Sequence, residues 1–148
     1  MKIECTKEEF KTLMDLVYAG NLLINGPKSK EERVQRYSDM EQQIFAMAKE
    51  YGLDDLIEYD GEFEEYMPTH EYEEDEFNEY IDEYDTSVFW DELVMRLARR
   101  DALNYAGDVD QNVSPGALRE MQLKWEEQYE EEIAENGIMN LKIVKIEE

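Results

Sequence analysis

Apolar positions along the chain recur at two spacings, and the switch between them marks the elements. Met1, Ile3 and Cys5 alternate with Lys2 and Glu4, the two-residue period of a half-buried strand. At Thr6 the period changes. Thr6-Lys7-Glu8-Glu9 has the form of a capping box, in which the Thr6 hydroxyl and the Glu9 carboxylate satisfy each other's backbone donors. Phe10, Leu13, Met14, Val17 and Ile24 then share one helical face. Asn25-Gly26-Pro27 stops that helix, because glycine accepts a left-handed cap and proline cannot continue the hydrogen-bond ladder. A second capping box, Ser29 and Glu32, opens a helix whose stripe is Val34, Tyr37, Met40, Ile44, Met47 and Tyr51, and Gly52 stands where its C-terminal cap belongs. The short turn between the two helices predicts an antiparallel hairpin.

Leu53 to Glu74 has no clear period; Gly61 and Pro68 interrupt it, which predicts a loop with one helical turn near Asp54 to Glu58. Phe77, Tyr80, Ile81 and Tyr84 restore helical spacing and predict a helix over Glu74 to Tyr84. Asp85-Thr86-Ser87 offers caps for a separate helix with Phe89, Trp90, Leu93, Val94 and Leu97 on its apolar face, ended by Gly107. Its acids come early and Arg96, Arg99 and Arg100 late, as the helix dipole favours, and Glu92 with Arg96 is a favourable pair one turn apart. Ser114-Pro115 begins a last long helix, with Leu118, Met121, Trp125 and Ile133 inward and Gly137 as terminator. Ile138 to Ile146 is rich in β-branched residues and reads as a strand whose obvious partner is residues 1 to 5.

These elements predict a mainly α fold: four to five helices in a bundle-like packing, with a small two-stranded sheet from the N- and C-terminal ends. A length of 148 residues fits a single domain. It divides into a helical hairpin over 6–52, an acidic aromatic-rich segment over 53–84, helices over 86–136 and a C-terminal strand over 138–146.

Charge changes the picture most. The formal net charge is −24, and a 46-residue stretch from Glu50 to Met95 holds 19 of the 39 acids and no Lys or Arg. Self-repulsion on that scale opposes compaction. Disordered acidic tracts are poor in aromatics, whereas this one carries ten, among them Tyr66, Tyr72, Phe77, Tyr80 and Tyr84. The expectation is an ordered segment with buried aromatic backs and carboxylate fronts, residues 60–72 excepted. The densest group is Glu73, Glu74, Asp75, Glu76, Glu79, Asp82 and Glu83. Such a field attracts cations and repels anions, so duplex DNA, RNA and anionic membrane surfaces are poor partners and a basic protein surface is a good one. No apolar run is long enough for a membrane span. The opening residues lack the apolar core of a signal peptide, which points to the cytoplasm. One cysteine, Cys5, allows no internal disulfide and no multi-thiolate metal site.

Candidate chemistry is thin. Asp108-Val109-Asp110-Gln111-Asn112 matches the start of a calcium-binding EF-hand loop, but the sixth position is Val113 rather than glycine and the twelfth is Arg119 rather than glutamate. Glu62-x-x-Glu65 and Glu79-x-x-Asp82 have a spacing similar to the paired carboxylate motifs of all-α nucleotide pyrophosphohydrolases, a resemblance that implies Mg²⁺ bridging phosphates. Glu73-x-x-Glu76 repeats half of that spacing, as an acid-rich stretch does by chance. His70 is the sole histidine and has Met67 where a Glu-x-x-His pair needs glutamate. Arg96, Arg99 and Arg100 form the only dense basic group. The reading is a non-enzymatic interaction or regulatory protein that contacts a basic protein partner through its acidic surface. It involves no metal, no cofactor and no catalytic residue, and the alternative is a Mg²⁺-dependent hydrolase.

Overall fold

A computed structural model describes residues 4–109 and 113–142; the side chains of Asp108 and Val109 are outside the description. The described elements are α1 (Lys7–Asn25), α2 (Gln35–Ala46), β1 (Ile57–Asp60), β2 (Glu65–Pro68), α3 (His70–Glu73), α4 (Glu76–Val109) and α5 (Pro115–Asn136). Short 3₁₀ turns at Lys30–Glu32 and Ala48–Tyr51 flank α2. The fold is mainly helical, as the periodicity predicts, and includes a two-stranded antiparallel sheet. The chain divides into two compact units, Met1–Glu83 and Tyr84–Glu148.

In the first unit α1 and α2 form the expected antiparallel hairpin. Thr6 Oγ1 accepts from the Glu9 N–H (3.2 Å) and the Thr6 N–H donates to the Glu9 carboxylate (2.8 Å), so the capping box is formed. The other end of α1 differs from expectation. Gly26 is right-handed (φ −54°, ψ −44°), and glycine is needed there for a close approach, since a Cβ would lie 2.5 Å from the Leu22 carbonyl oxygen. The Ser29–Glu32 box forms, but it opens only a 3₁₀ turn, and α2 proper begins at Gln35. Gly52 is the left-handed cap predicted (φ +68°).

The α2 stripe is turned from the predicted one. Phe45 and Ala48 are buried, whereas Met40 and Met47 are exposed. The cause is the sheet. Residues read as loop form a β-hairpin packed beside α2, which draws Gln42 and Phe45 inward. Tyr59 pairs directly with Tyr66 (ring centroids 5.1 Å), and Ile57 with Pro68. Asp60 caps the turn, accepting from the Glu62 N–H (2.7 Å) and the Phe63 N–H (3.1 Å), while Glu64 takes a left-handed φ of +56°. Asp60 is the sequence signal for this turn, an acid whose side chain bonds the backbone two and three residues on. Phe10, Met14, Phe45, Ala48, Leu53, Leu56, Ile57 and Tyr72 make the core, with Tyr51 stacked on Phe10 at 3.9 Å.

Among the described residues the sheet is therefore at 57–68 rather than in the terminal segments where it was expected. Of the predicted terminal strands, residues 1–3 and 143–148 lie outside the described residues, and the described parts, Glu4 and Cys5 and Ile138 to Lys142, are coil and turn.

The second unit contains the remainder of α4 and α5. The helix break expected at Asp85-Thr86-Ser87 does not occur: α4 runs through it, and through Gly107, to Val109. Those three residues cap well but do not by themselves break a helix, as a proline would. Val94, Ala98 and Ala102 are buried one turn apart. Ser114 caps α5, with Pro115 in its first turn and Gly137 at its end. Tyr129 of α5 donates to Asp101 of α4, and Arg100 pairs with the same carboxylate (2.7 Å).

Candidate functional site

The acidic group occupies the junction of α3 and α4. Thr69 precedes α3 with extended backbone, and the Glu74 N–H closes its short turn on the His70 carbonyl (3.0 Å). Asp75 then starts α4, accepting from the Phe77 N–H (3.0 Å). Glu73, Glu74, Glu76, Glu79, Asp82 and Glu83 are exposed; Asp75 is half-buried. Glu76, Glu79 and Glu83 lie at successive turns of α4, and Asp82 flanks them. Like charges at that spacing repel and gain nothing from folding, so aromatic packing behind them must hold the segment.

That packing is present at Tyr72 and, in part, at Phe77; Tyr80 and Tyr84, expected as buried backs, are instead exposed on α4. Tyr72 is fully buried and donates to Asp15 of α1 (2.9 Å); Tyr18 meets its ring edge-on at 5.5 Å. Burial, reinforced by the Asp15 charge, pushes the Tyr72 phenol far above its ordinary range. One cation ties the acidic junction to α1. The Lys11 ammonium pairs with Asp15 (2.8 Å) and Asp75 (3.4 Å), 5.0 Å from the Tyr72 ring centre and 5.9 Å from that of Phe77. Asp75, expected among the partner-facing carboxylates, is thus engaged within the fold.

Next to Lys11 a groove of about 320 Å³ separates α1 from the first turns of α4, lined by Thr12, Asp15, Leu16, Asp75, Glu76, Phe77 and Tyr80. Glu76 accepts from the Tyr80 hydroxyl (2.8 Å), a bond that raises the Tyr80 phenol pKa. No single-stretch reading reveals the groove, because α1 supplies one wall and α4 the other. The Lys11–Asp15 spacing is the only local hint.

The other candidates separate. Glu62 lies in the hairpin turn and Glu65 in β2, so this pair has no helical turn to share; Glu79 and Asp82 are on α4. Among the described residues no three His, Cys, Asp or Glu side chains converge as a metal-ligand set. His70 is exposed at the start of α3, 3.2 Å from Glu74. Cys5 is half-buried, its Sγ 3.7 Å from the Tyr51 hydroxyl. Of the calcium-loop resemblance, Asp108 and Val109 continue α4, and residues 110–112 lie outside the described residues. Arg96 pairs with Glu92 at 2.8 Å, the pairing its spacing predicts. No described helix is long and apolar enough to cross a membrane. Comparison of the chain with protein-family models, curated proteins and solved structures gives no match.

Proposed function

We propose that the protein is a non-enzymatic interaction or regulatory protein of the cytoplasm, and that Glu73, Glu74, Asp75, Glu76, Glu79, Asp82 and Glu83 contact a basic protein partner, Asp75 through the rim it shares with Lys11. One observation carries this reading: six of those seven side chains are exposed, on a segment without Lys or Arg that is anchored to the core through Tyr72 and Phe77. Carboxylates that outnumber the cations beside them give a field that steers a cationic surface and rejects anionic competitors. Structural support for a hydrolase is weaker, since half of its carboxylate set lies on a hairpin.

The test compares the natural chain with a variant in which Glu74, Glu76, Glu79 and Glu83 become Gln and Asp82 becomes Asn. The natural chain is expected to retain a basic protein at low ionic strength and release it at high, and the variant to retain none. Equal retention by the two proteins, or none by the natural chain at low salt, overturns the reading.

A further inference from the structure

We propose that the groove between α1 and the start of α4 receives an arginine side chain of the basic partner and is the anchor point of that contact. The proposal rests on the acidic-surface reading and names where on that surface the partner is held.

The groove is apolar along its walls and acidic at its rim. Leu16 is 65% exposed and Tyr80 56%, so their carbon faces stand open beside the half-buried Phe77 ring. A volume of about 320 Å³ is at the low end for small-ligand sites, room for a side chain rather than a helix. An occupant must cover apolar carbon along its length and end in positive charge. Arginine does both: its stem lies on Leu16, and its planar guanidinium stacks on an aromatic ring while bonding a carboxylate through two N–H groups. Glu76 offers that carboxylate. One of its oxygens takes the Tyr80 hydroxyl, and the other has no partner among the described residues.

Charge complementarity selects the occupant. A second copy of this chain would bring another −24 against an acidic rim. A lysine would match the charge but not stack as a plane on Tyr80. Lys11 shows the local preference beside the groove, its ammonium paired with the lining residues Asp15 and Asp75 and near the Tyr72 and Phe77 rings.

The experiment titrates the full chain with fluorescein-labelled nona-arginine and nona-lysine at low ionic strength, reading anisotropy and the Leu16 methyl resonances. Nona-arginine is expected to bind roughly 3-fold or more tighter than nona-lysine, the size of an exposed cation–π contact, and to shift the Leu16 methyls. Tyr80→Ala keeps the net charge and should erase the preference. Leu16→Glu adds an acid, so a purely electrostatic surface would bind both peptides at least as well, whereas an obstructed groove binds nona-arginine more weakly. Leu16 is exposed, so this change spares the core. Unchanged preference in Tyr80→Ala, or tighter nona-arginine binding by Leu16→Glu, overturns the groove. If Glu79→Gln, Asp82→Asn and Glu83→Gln together still abolish binding in that case, the acidic-surface reading survives. No binding of either peptide to the natural chain removes both.

Discussion

Asn25 is a buried polar side chain (3% exposed) that organises the turn between α1 and α2. Its Oδ1 accepts from the Val34 N–H (2.8 Å), and its Nδ2 donates to Asn21 Oδ1 (2.8 Å), Ser38 Oγ (3.2 Å) and the Val34 carbonyl (3.3 Å). It thereby supplies the cap that Val34, lacking a polar side chain, cannot. Asn25→Ala would strand several of these groups and should cost about 2–3 kcal/mol, seen as a lower urea midpoint with unchanged slope. Asparagine is a common turn residue, so the sequence shows its place but not its burial. Glu41 is a second case. Burial raises its carboxyl pKa, and the Asn21 amide at 2.8 Å offsets only part of that. A carboxyl whose folded pKa exceeds its unfolded one binds protons better when folded. Its charged form therefore costs stability at neutral pH, and the cost disappears as pH falls from the raised value into the ordinary carboxylate range. Glu41→Gln keeps an acceptor for Asn21. It should raise the urea midpoint at neutral pH, and the difference from the natural chain should vanish in acid.

The β-hairpin shows how one element depends on another. The N–H of Tyr66 donates to Gln42 Oε1 (2.7 Å), and its carbonyl accepts from Gln42 Nε2 (2.9 Å), so one side-chain amide acts as the missing neighbour strand at the outer edge of β2. Gln42→Met removes both bonds while keeping side-chain length. It should speed amide hydrogen exchange at Tyr66 and cost about 1–2 kcal/mol. Which elements were legible follows from how local their causes are. The Thr6–Glu9 box, the Gly52 cap and the Ser114-Pro115 start act within a turn, and each is where the sequence puts it. The hairpin was obscured because β1 lacks a clean alternation, Glu58 and Tyr59 both being exposed, and β2, though it alternates in burial, is only four residues long and turns Met67 outward. Continuity of α4 was obscured because Asp85-Thr86-Ser87 can either cap a helix or ride on its surface. The acidic face was legible because charge is counted directly from sequence. Its groove was not, since Leu16 and Tyr80 are 64 positions apart and meet only through the fold.

At the scale of the molecule, charge and core are distributed unequally. Among the described residues, the first unit encloses all eight of the hydrophobic core, whereas the buried ones of the second are the small set Val94, Ala98 and Ala102. Local stability follows buried apolar contact, so the two units should differ in it. The division at Tyr84 was invisible to periodicity because α4 passes through it without interruption. It has a spectroscopic consequence. Both tryptophans, Trp90 and Trp125, belong to the second unit, and the first has none. Indole emission thus watches one half of the chain, and the methyl resonance of buried Met14 watches the other. In a urea titration the emission should redden at a lower concentration than the native Met14 signal disappears. Superimposed curves would mean that the long helix makes both halves melt as one.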